Sequence, residues 1–152
     1  MTDAADGPTL AEVRDAAIRL LARREHSRRE LGVKLAGRGV SSGLVETALD
    51  ELADQGLQSD IRYAESYARQ RCERGYGPHR LRAELRERGV ADGLIASALN
   101  ALEVDWFERA TQVRAKRFGA GQPEDFRAAA RQRQFLEYRG FPGDIVREVV
   151  AG

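Results

Sequence analysis

Apolar residues recur at helical spacing along almost the whole chain, and no stretch alternates with period two for long enough to make a strand. Leu10, Val13, Ala17, Leu20 and Leu21 trace a first stripe. Leu31 and Leu35 form a second, and Leu44, Val45, Ala48, Leu49 and Leu52 a third. Further stripes run through Tyr63, Ala64, Tyr67 and Ala68, through Leu81 and Leu85, and from about Asp92 to Leu102. The last group runs through Trp106, Phe107, Ala110 and Val113, then Phe126, Ala130 and Phe135, and ends at Val150. Polar punctuation falls between the stripes. Thr9-x-x-Glu12 and Ser27-x-x-Glu30 are capping boxes, in which a hydroxyl and a carboxylate each accept from an orphan backbone N–H of the first turn. Ser41 or Ser42, and Ser59 or Asp60, stand where further N-caps are needed. Gly39 is placed to close a helix, and Gly75-Tyr76-Gly77 breaks another before Pro78, which suits a first helical position. The expected fold class is all-α.

The stripes also repeat. Leu31, Leu35, Arg38, Gly39, Val40, Gly43, Leu44, Ala48, Leu49 and Leu52 are echoed fifty residues later by Leu81, Leu85, Arg88, Gly89, Val90, Gly93, Leu94, Ala98, Leu99 and Leu102. A weaker third copy, offset by fifty-one, comprises Leu136, Arg139, Gly140, Phe141, Ile145, Val149 and Val150. A fixed period of this length is the mark of a repeat architecture. The expectation is an elongated array of three tandem three-helix repeats at 9–56, 57–104 and 105–152, preceded by a disordered tail over 1–8. Each unit holds few large apolar residues. At roughly 25 cal/mol per Å² of apolar burial, one unit would scarcely offset its chain entropy, so neighbouring units are expected to share a core.

Composition narrows the class. The 152 residues are 42% hydrophobic and 32% charged, and no apolar run approaches the length of a membrane span. The acidic start, Met1 to Pro8, is unlike a signal peptide, and the single cysteine, Cys72, leaves no internal disulfide to form. A cytoplasmic protein with no membrane association is expected. The net charge of +1 conceals a segregation. Ser42 to Asp60 holds five acids and no cation, Arg62 to Arg88 eight arginines against four glutamates, and Arg109 to Arg139 eight cations against three acids. All but two of the cations, Lys34 and Lys116, are arginine, whose planar fork suits phosphates and carboxylates.

No catalytic constellation emerges. His26 and His79 are far apart, without acidic or cysteine companions at ligand spacing, and Gly75-Tyr76-Gly77 lacks the spacing and preceding strand of a phosphate loop. The carboxylates of 42–60 are not paired for metal binding or acid–base work. Cys72 reads as a small residue at a helix interface, Asp60 as a cap, and Trp106, Phe107, Phe135 and Phe141 as core. The chain is expected to be no enzyme and to need no cofactor or metal.

Four motifs in order point to a family. Leu20-Leu21-Ala22-Arg23-Arg24-Glu25-His26-Ser27-Arg28-Arg29-Glu30-Leu31 resembles the Leu-x-x-Arg-x-x-Ser-x-x-Glu-Leu opening of RecX proteins. Leu57 to Arg71, with its Asp turn and its Tyr63-Ala64 pair, resembles their central signature. Arg74-Gly75-Tyr76-Gly77-Pro78 through Arg88-Gly89-Val90 is similar to the next block, and Phe135-Leu136-Glu137-Tyr138-Arg139-Gly140-Phe141 to the ending. Tyr63 stands where Phe is common, and Val40 and Val90 where Ile is frequent. The resemblance implies three three-helix repeats and a regulator of the RecA recombinase. Such a protein lies in the groove of the RecA filament on single-stranded DNA, inhibits ATP hydrolysis and strand exchange, and promotes disassembly. The implied partners are the RecA filament and single-stranded and, more weakly, double-stranded DNA, met by a monomer.

Candidate contact residues are Arg69, Arg71, Arg74, Arg80 and Arg82, with Tyr76 as a stacking group; Arg69 and Arg80 are expected to be the most exposed. Against this stands intramolecular pairing of the arginines with Glu65, Glu73 and Glu84 at helical spacing. The alternative function is a stand-alone DNA-binding protein, since short helices joined by glycine turns resemble helix-turn-helix units. No recognition helix, dimer element or overall basic charge supports it.

Overall fold

A computed structural model describes residues 7–151, so most of the tail expected at 1–8 lies outside the described residues. Nine helices and no strand occur among them. They are α1 Leu10–Arg23, α2 Arg28–Ala36, α3 Ser42–Asp54, α4 Asp60–Glu73, α5 Pro78–Glu87, α6 Asp92–Ala101, α7 Trp106–Phe118, α8 Phe126–Tyr138 and α9 Gly143–Val149. Every substantial helix–helix contact joins helices of one group of three: α1 to α3, α4 to α6, or α7 to α9.

Local chemistry sets the boundaries. Both capping boxes form, at Thr9 and Ser27. Ser41, Ser59, Asp105 and Asp125 cap α3, α4, α7 and α8 with a side-chain oxygen. Asp60 does not cap its own helix. It is the first residue of α4, and its Oδ1 accepts from the Arg28 N–H at 2.8 Å and from Gln58 Nε2 at 2.9 Å, tying the second unit to the first.

Three apolar clusters follow the groups. Leu31, Leu35, Leu49 and Leu52 are at the heart of the first, and Leu81, Leu85, Ile95 and Leu99 of the second. Leu136, Phe141, Val146 and Val150 form the third. The shared core expected from the sequence is therefore not what joins the units. Among the described residues Trp106 alone bridges two clusters, touching the second and meeting Phe141 of the third edge-on, with centroids 6.4 Å apart.

Polar contacts make the junctions, and the junctions themselves repeat. Ser27, the N-cap of α2, donates its hydroxyl to the Arg88 carbonyl at 2.8 Å. Fifty positions on, Gly77, the N-cap of α5, donates its backbone N–H to the Arg139 carbonyl at 2.7 Å. A Cβ on Gly77 would lie 2.7 Å from the Gly140 carbonyl, so the second junction leaves no room for a side chain where the first uses serine. Each accepting carbonyl lies just before a helix-closing glycine, Gly89 or Gly140, at φ +83° and +96°. Left-handed glycine there lets the Val90 and Phe141 N–H groups reach back to Leu85 and Leu136 and end the helix.

Candidate functional site

The C-terminus of α4 and the start of α5 gather several of the candidate residues around one carboxylate. Glu84 of α5 accepts from Arg71 Nε at 3.0 Å and Nη2 at 2.9 Å, from Tyr67 Oη at 2.8 Å and from Arg80 Nε at 3.1 Å. Burial alone would push its pKa up. The hydrogen bonds from Arg71, Tyr67 and Arg80 outweigh that and hold it at about 2. In turn, burial and the bond to Glu84 push the Tyr67 hydroxyl up to about 12.

Tyr76 lies half-buried beside this node under three guanidiniums. Arg71, Arg80 and Arg139 stand 3.9, 4.7 and 4.7 Å from its ring centroid. Arg139 also lies 4.9 Å from Phe135, and Arg80 lies 5.0 Å from Tyr138, so cations and rings alternate across the second junction. Arg71 and Arg80 are thus engaged within the molecule, and Tyr76 packs rather than standing free. Arg80, expected to be exposed, is half-buried because its head is held by Glu84 and by the Tyr138 carbonyl. Arg69, Arg74 and Arg82 are exposed and form no ion pair among the described residues; Arg82 approaches only His79 Nδ1, at 3.5 Å.

The acids of the first unit are also partly spent. Glu46 and Asp50 both pair with Arg28, and Glu51 with Arg14. The third unit is different. Among the described residues, no cation between Arg109 and Arg147 makes an ion pair. Arg114 is buried, donating to Gln132 Oε1 at 2.8 Å and to the Gly121 carbonyl, which pins the connector after α7. Arg109 donates to the Cys72 and Glu73 carbonyls at 2.9 Å each, closing the exposed end of α4. Between α4 and the third unit a cleft is lined by Arg74, Arg109, Lys116, Arg117, Phe135 and Arg139. Of these, only Arg74 is among the contact candidates the sequence offered. The signal for the other cations was the charge excess of 109–139, and what the sequence could not show is that Glu73, the one acid lining the cleft, forms an ion pair with none of them.

Phe107, expected in the core, is exposed, as are Phe126 and Tyr138. Cys72 is buried at the α4–α7 contact, where burial raises its thiol pKa against the pull of Arg109. The described residues contain no cluster of metal-ligating side chains, and no helix is long and apolar enough to cross a membrane.

Together these features define an all-helical tandem-repeat protein with polar junctions and an excess of unpaired cations toward its C-terminal unit. Three family models match in order: the first, second and third three-helix domains of RecX, over residues 14–52, 59–99 and 103–150. The chain belongs to the RecX family. It is 55% identical to the regulatory protein RecX of Halorhodospira halophila, covering 95% of this chain and 90% of that one. Identity to the regulatory protein RecX of Pseudomonas putida is 48%, over 95% and 92% of the two chains. A crystal structure of regulatory protein RecX superposes with a TM-score of 0.76 at 27% identity, covering 92% of this chain and 73% of that one. RecX from Lactobacillus salivarius shares the fold, with a TM-score of 0.78 at 24% identity, covering 93% of this chain and 94% of that one. Its relatives are named as regulators, and a regulatory role is the function of this family.

Proposed function

We propose that this chain binds the RecA filament and inhibits its ATPase and strand-exchange activities, modulating recombination and DNA repair in the cytoplasm. The observation that carries this reading is the full-length match to regulatory RecX proteins, all three domains in order. The geometry supports it. Three small units held at fixed junctions offer a long surface, and among the described residues the cations of its last unit form no ion pair. A filament on DNA presents carboxylates and phosphates along one groove, and such a surface meets both. The chain acts as a monomer and as a non-enzymatic modulator, with its units at 9–56, 57–104 and 105–152.

The test is RecA ATP hydrolysis on single-stranded DNA with increasing amounts of the protein. Hydrolysis should fall progressively; unchanged hydrolysis at several-fold excess over RecA would remove the reading.

A further inference from the structure

The two junctions create two clefts at equivalent places in the repeat. In the first, Arg24 and Arg88 are the cations, Glu25 and Glu30 the acids, and Tyr63 and Tyr67 line the wall. Shifting by fifty or fifty-one residues converts Arg24 to Arg74, Tyr63 to Val113, Tyr67 to Arg117 and Arg88 to Arg139. Glu25 becomes Gly75, and Ser66 becomes Lys116. The first cleft is therefore balanced, two cations against two acids, and Arg24 is bound to Glu30 at 3.2 Å. The second holds five cations (Arg74, Arg109, Lys116, Arg117 and Arg139) against Glu73 alone. Glu73 forms no ion pair with any of them.

The contrast matters because the fold is the same at both places. The junction at the first cleft holds without excess charge, so the excess at the second is not required by the architecture. Concentrating like charges costs free energy unless a counter-charge arrives. Two of the five cations are fixed by backbone carbonyls: Arg109 on Cys72 and Glu73, and Arg139 on Arg74 at 3.0 Å. Arg74 and Lys116 are exposed and make no side-chain hydrogen bond among the described residues, so they are free to close on a ligand. Arg117 sits 5.3 and 5.7 Å from the rings of Phe118 and Phe135, which meet edge-on at 5.3 Å. Phe118 is partly exposed beside the cleft and Phe126 is 80% exposed on the same unit. Cations beside uncovered rings are the combination that holds a single nucleic-acid strand, phosphates on the cations and bases on the rings.

We propose that the cleft between α4 and the third unit is a phosphate site that takes the backbone of a single nucleic-acid strand. The proposal rests on the filament-regulator reading for its biological setting and specifies which part of this chain would meet the DNA. A carboxylate would satisfy one of the guanidiniums. Five cations around one cleft match the denser charge of a phosphodiester chain.

The experiment uses the full chain and a short fluorescein-labelled oligothymidylate, read by anisotropy across a salt series, without RecA. Arg74→Gln/Lys116→Gln should weaken binding at least fivefold. It should also shallow the slope of log K against log salt by about 1.4, the value for two lost phosphate contacts on a single strand. Arg23→Gln/Arg38→Gln removes the same charge from exposed positions of the first unit and should leave both quantities within twofold of the parent. Equal loss in the two variants would assign binding to net charge and overturn the proposal, as would no loss in either. So would a cleft variant that keeps its DNA affinity but loses affinity for poly-glutamate, which would make the cleft a carboxylate site. RecA ATPase inhibition by the unaltered chain, measured in parallel, reports on the regulator reading separately. If inhibition is present while the cleft variant binds DNA normally, only the site assignment fails.

Discussion

Three donors converging on one carboxylate make Glu84 the side chain on which the α4–α5 contact depends. Its folded pKa of about 2 lies below the ordinary 4.5, so the folded state binds a proton less readily than the unfolded one. The stabilisation is therefore complete above about pH 4.5 and is lost as pH falls toward 2. Glu84→Gln keeps the shape but removes the charge that Arg71 and Arg80 share, and should cost about 2 kcal/mol at neutral pH. Urea unfolding at pH 7 and at pH 3 should show the gap between parent and variant shrinking with acid; a gap that stays constant would show that Glu84 titrates near its ordinary value. His26 works with the opposite charge type. It is buried; Nδ1 donates to the Arg24 carbonyl at 2.9 Å, and Nε2 accepts from the Lys34 ammonium at 2.9 Å. Burial first, then the positive charges of Arg24 and Lys34, lower its pKa below 6.5 despite the hydrogen bond to the Arg24 carbonyl and the charge of Glu30, which raise it. The neutral ring thus contributes stability above about pH 6.5 that is lost as pH falls below it. His26→Gln should flatten the stability profile between pH 7 and 5, and an unchanged slope would place the titrating group elsewhere.

At the scale of elements, the three helix-closing glycines separate turn geometry from docking. Gly39, Gly89 and Gly140 share positive φ, so alanine at any of them costs about 1 kcal/mol in backbone strain alone. Their surroundings differ. Nothing lies within 4 Å of a Cβ on Gly39, whereas on Gly89 it would meet Arg29 Cβ at 2.7 Å. On Gly140 it would fall inside contact with the Arg80 backbone N. Gly39→Ala should therefore lower stability by about 1 kcal/mol, and Gly89→Ala and Gly140→Ala by clearly more, because at these two the adjoining unit must shift. Equal losses in chemical denaturation at all three positions would show that the junctions tolerate a methyl group. The glycines also mark how far the sequence could be read. Caps and closures were legible in it because each depends on residues three to five apart, as at Ser27–Glu30 or Gly89, and the repeat because its positions recur at a fixed offset of fifty. Two things were not. The partition into separate cores depends on which faces meet, and the sequence suggested sharing where only Trp106 is shared. The spending of Arg71 and Arg80 on Glu84 depends on α4 and α5 meeting across a turn, thirteen positions apart for Arg71 and Glu84. The charge excess of the third unit was visible, but its freedom from pairing was not.

On the scale of the whole molecule, the balance between strong units and thin junctions decides how the chain unfolds and how it could adapt to a partner. Apolar burial is confined to three separate clusters, and hydrogen bonds at helix ends supply most of what crosses between them. Stability in such an array approaches a sum of unit terms and small nearest-neighbour terms, so the units need not unfold together. Trp106 gives a way to see this, because it is the only tryptophan and it sits where the second and third clusters meet. Its fluorescence reports one junction, while far-ultraviolet circular dichroism reports all nine helices. With weakly coupled units the two probes should give different urea midpoints, since coincident transitions are the sign of a single cooperative step. Tightening the coupling should bring them together. A strand bound across the second and third units would do so by adding contacts to both. Saturating oligothymidylate should therefore draw the tryptophan transition to higher urea, and more than it moves the dichroism midpoint, to which the first unit's helices also contribute. Coincident midpoints in the free protein would mean that the polar junctions couple the units as firmly as a shared core, and would leave the repeat array a single folding unit.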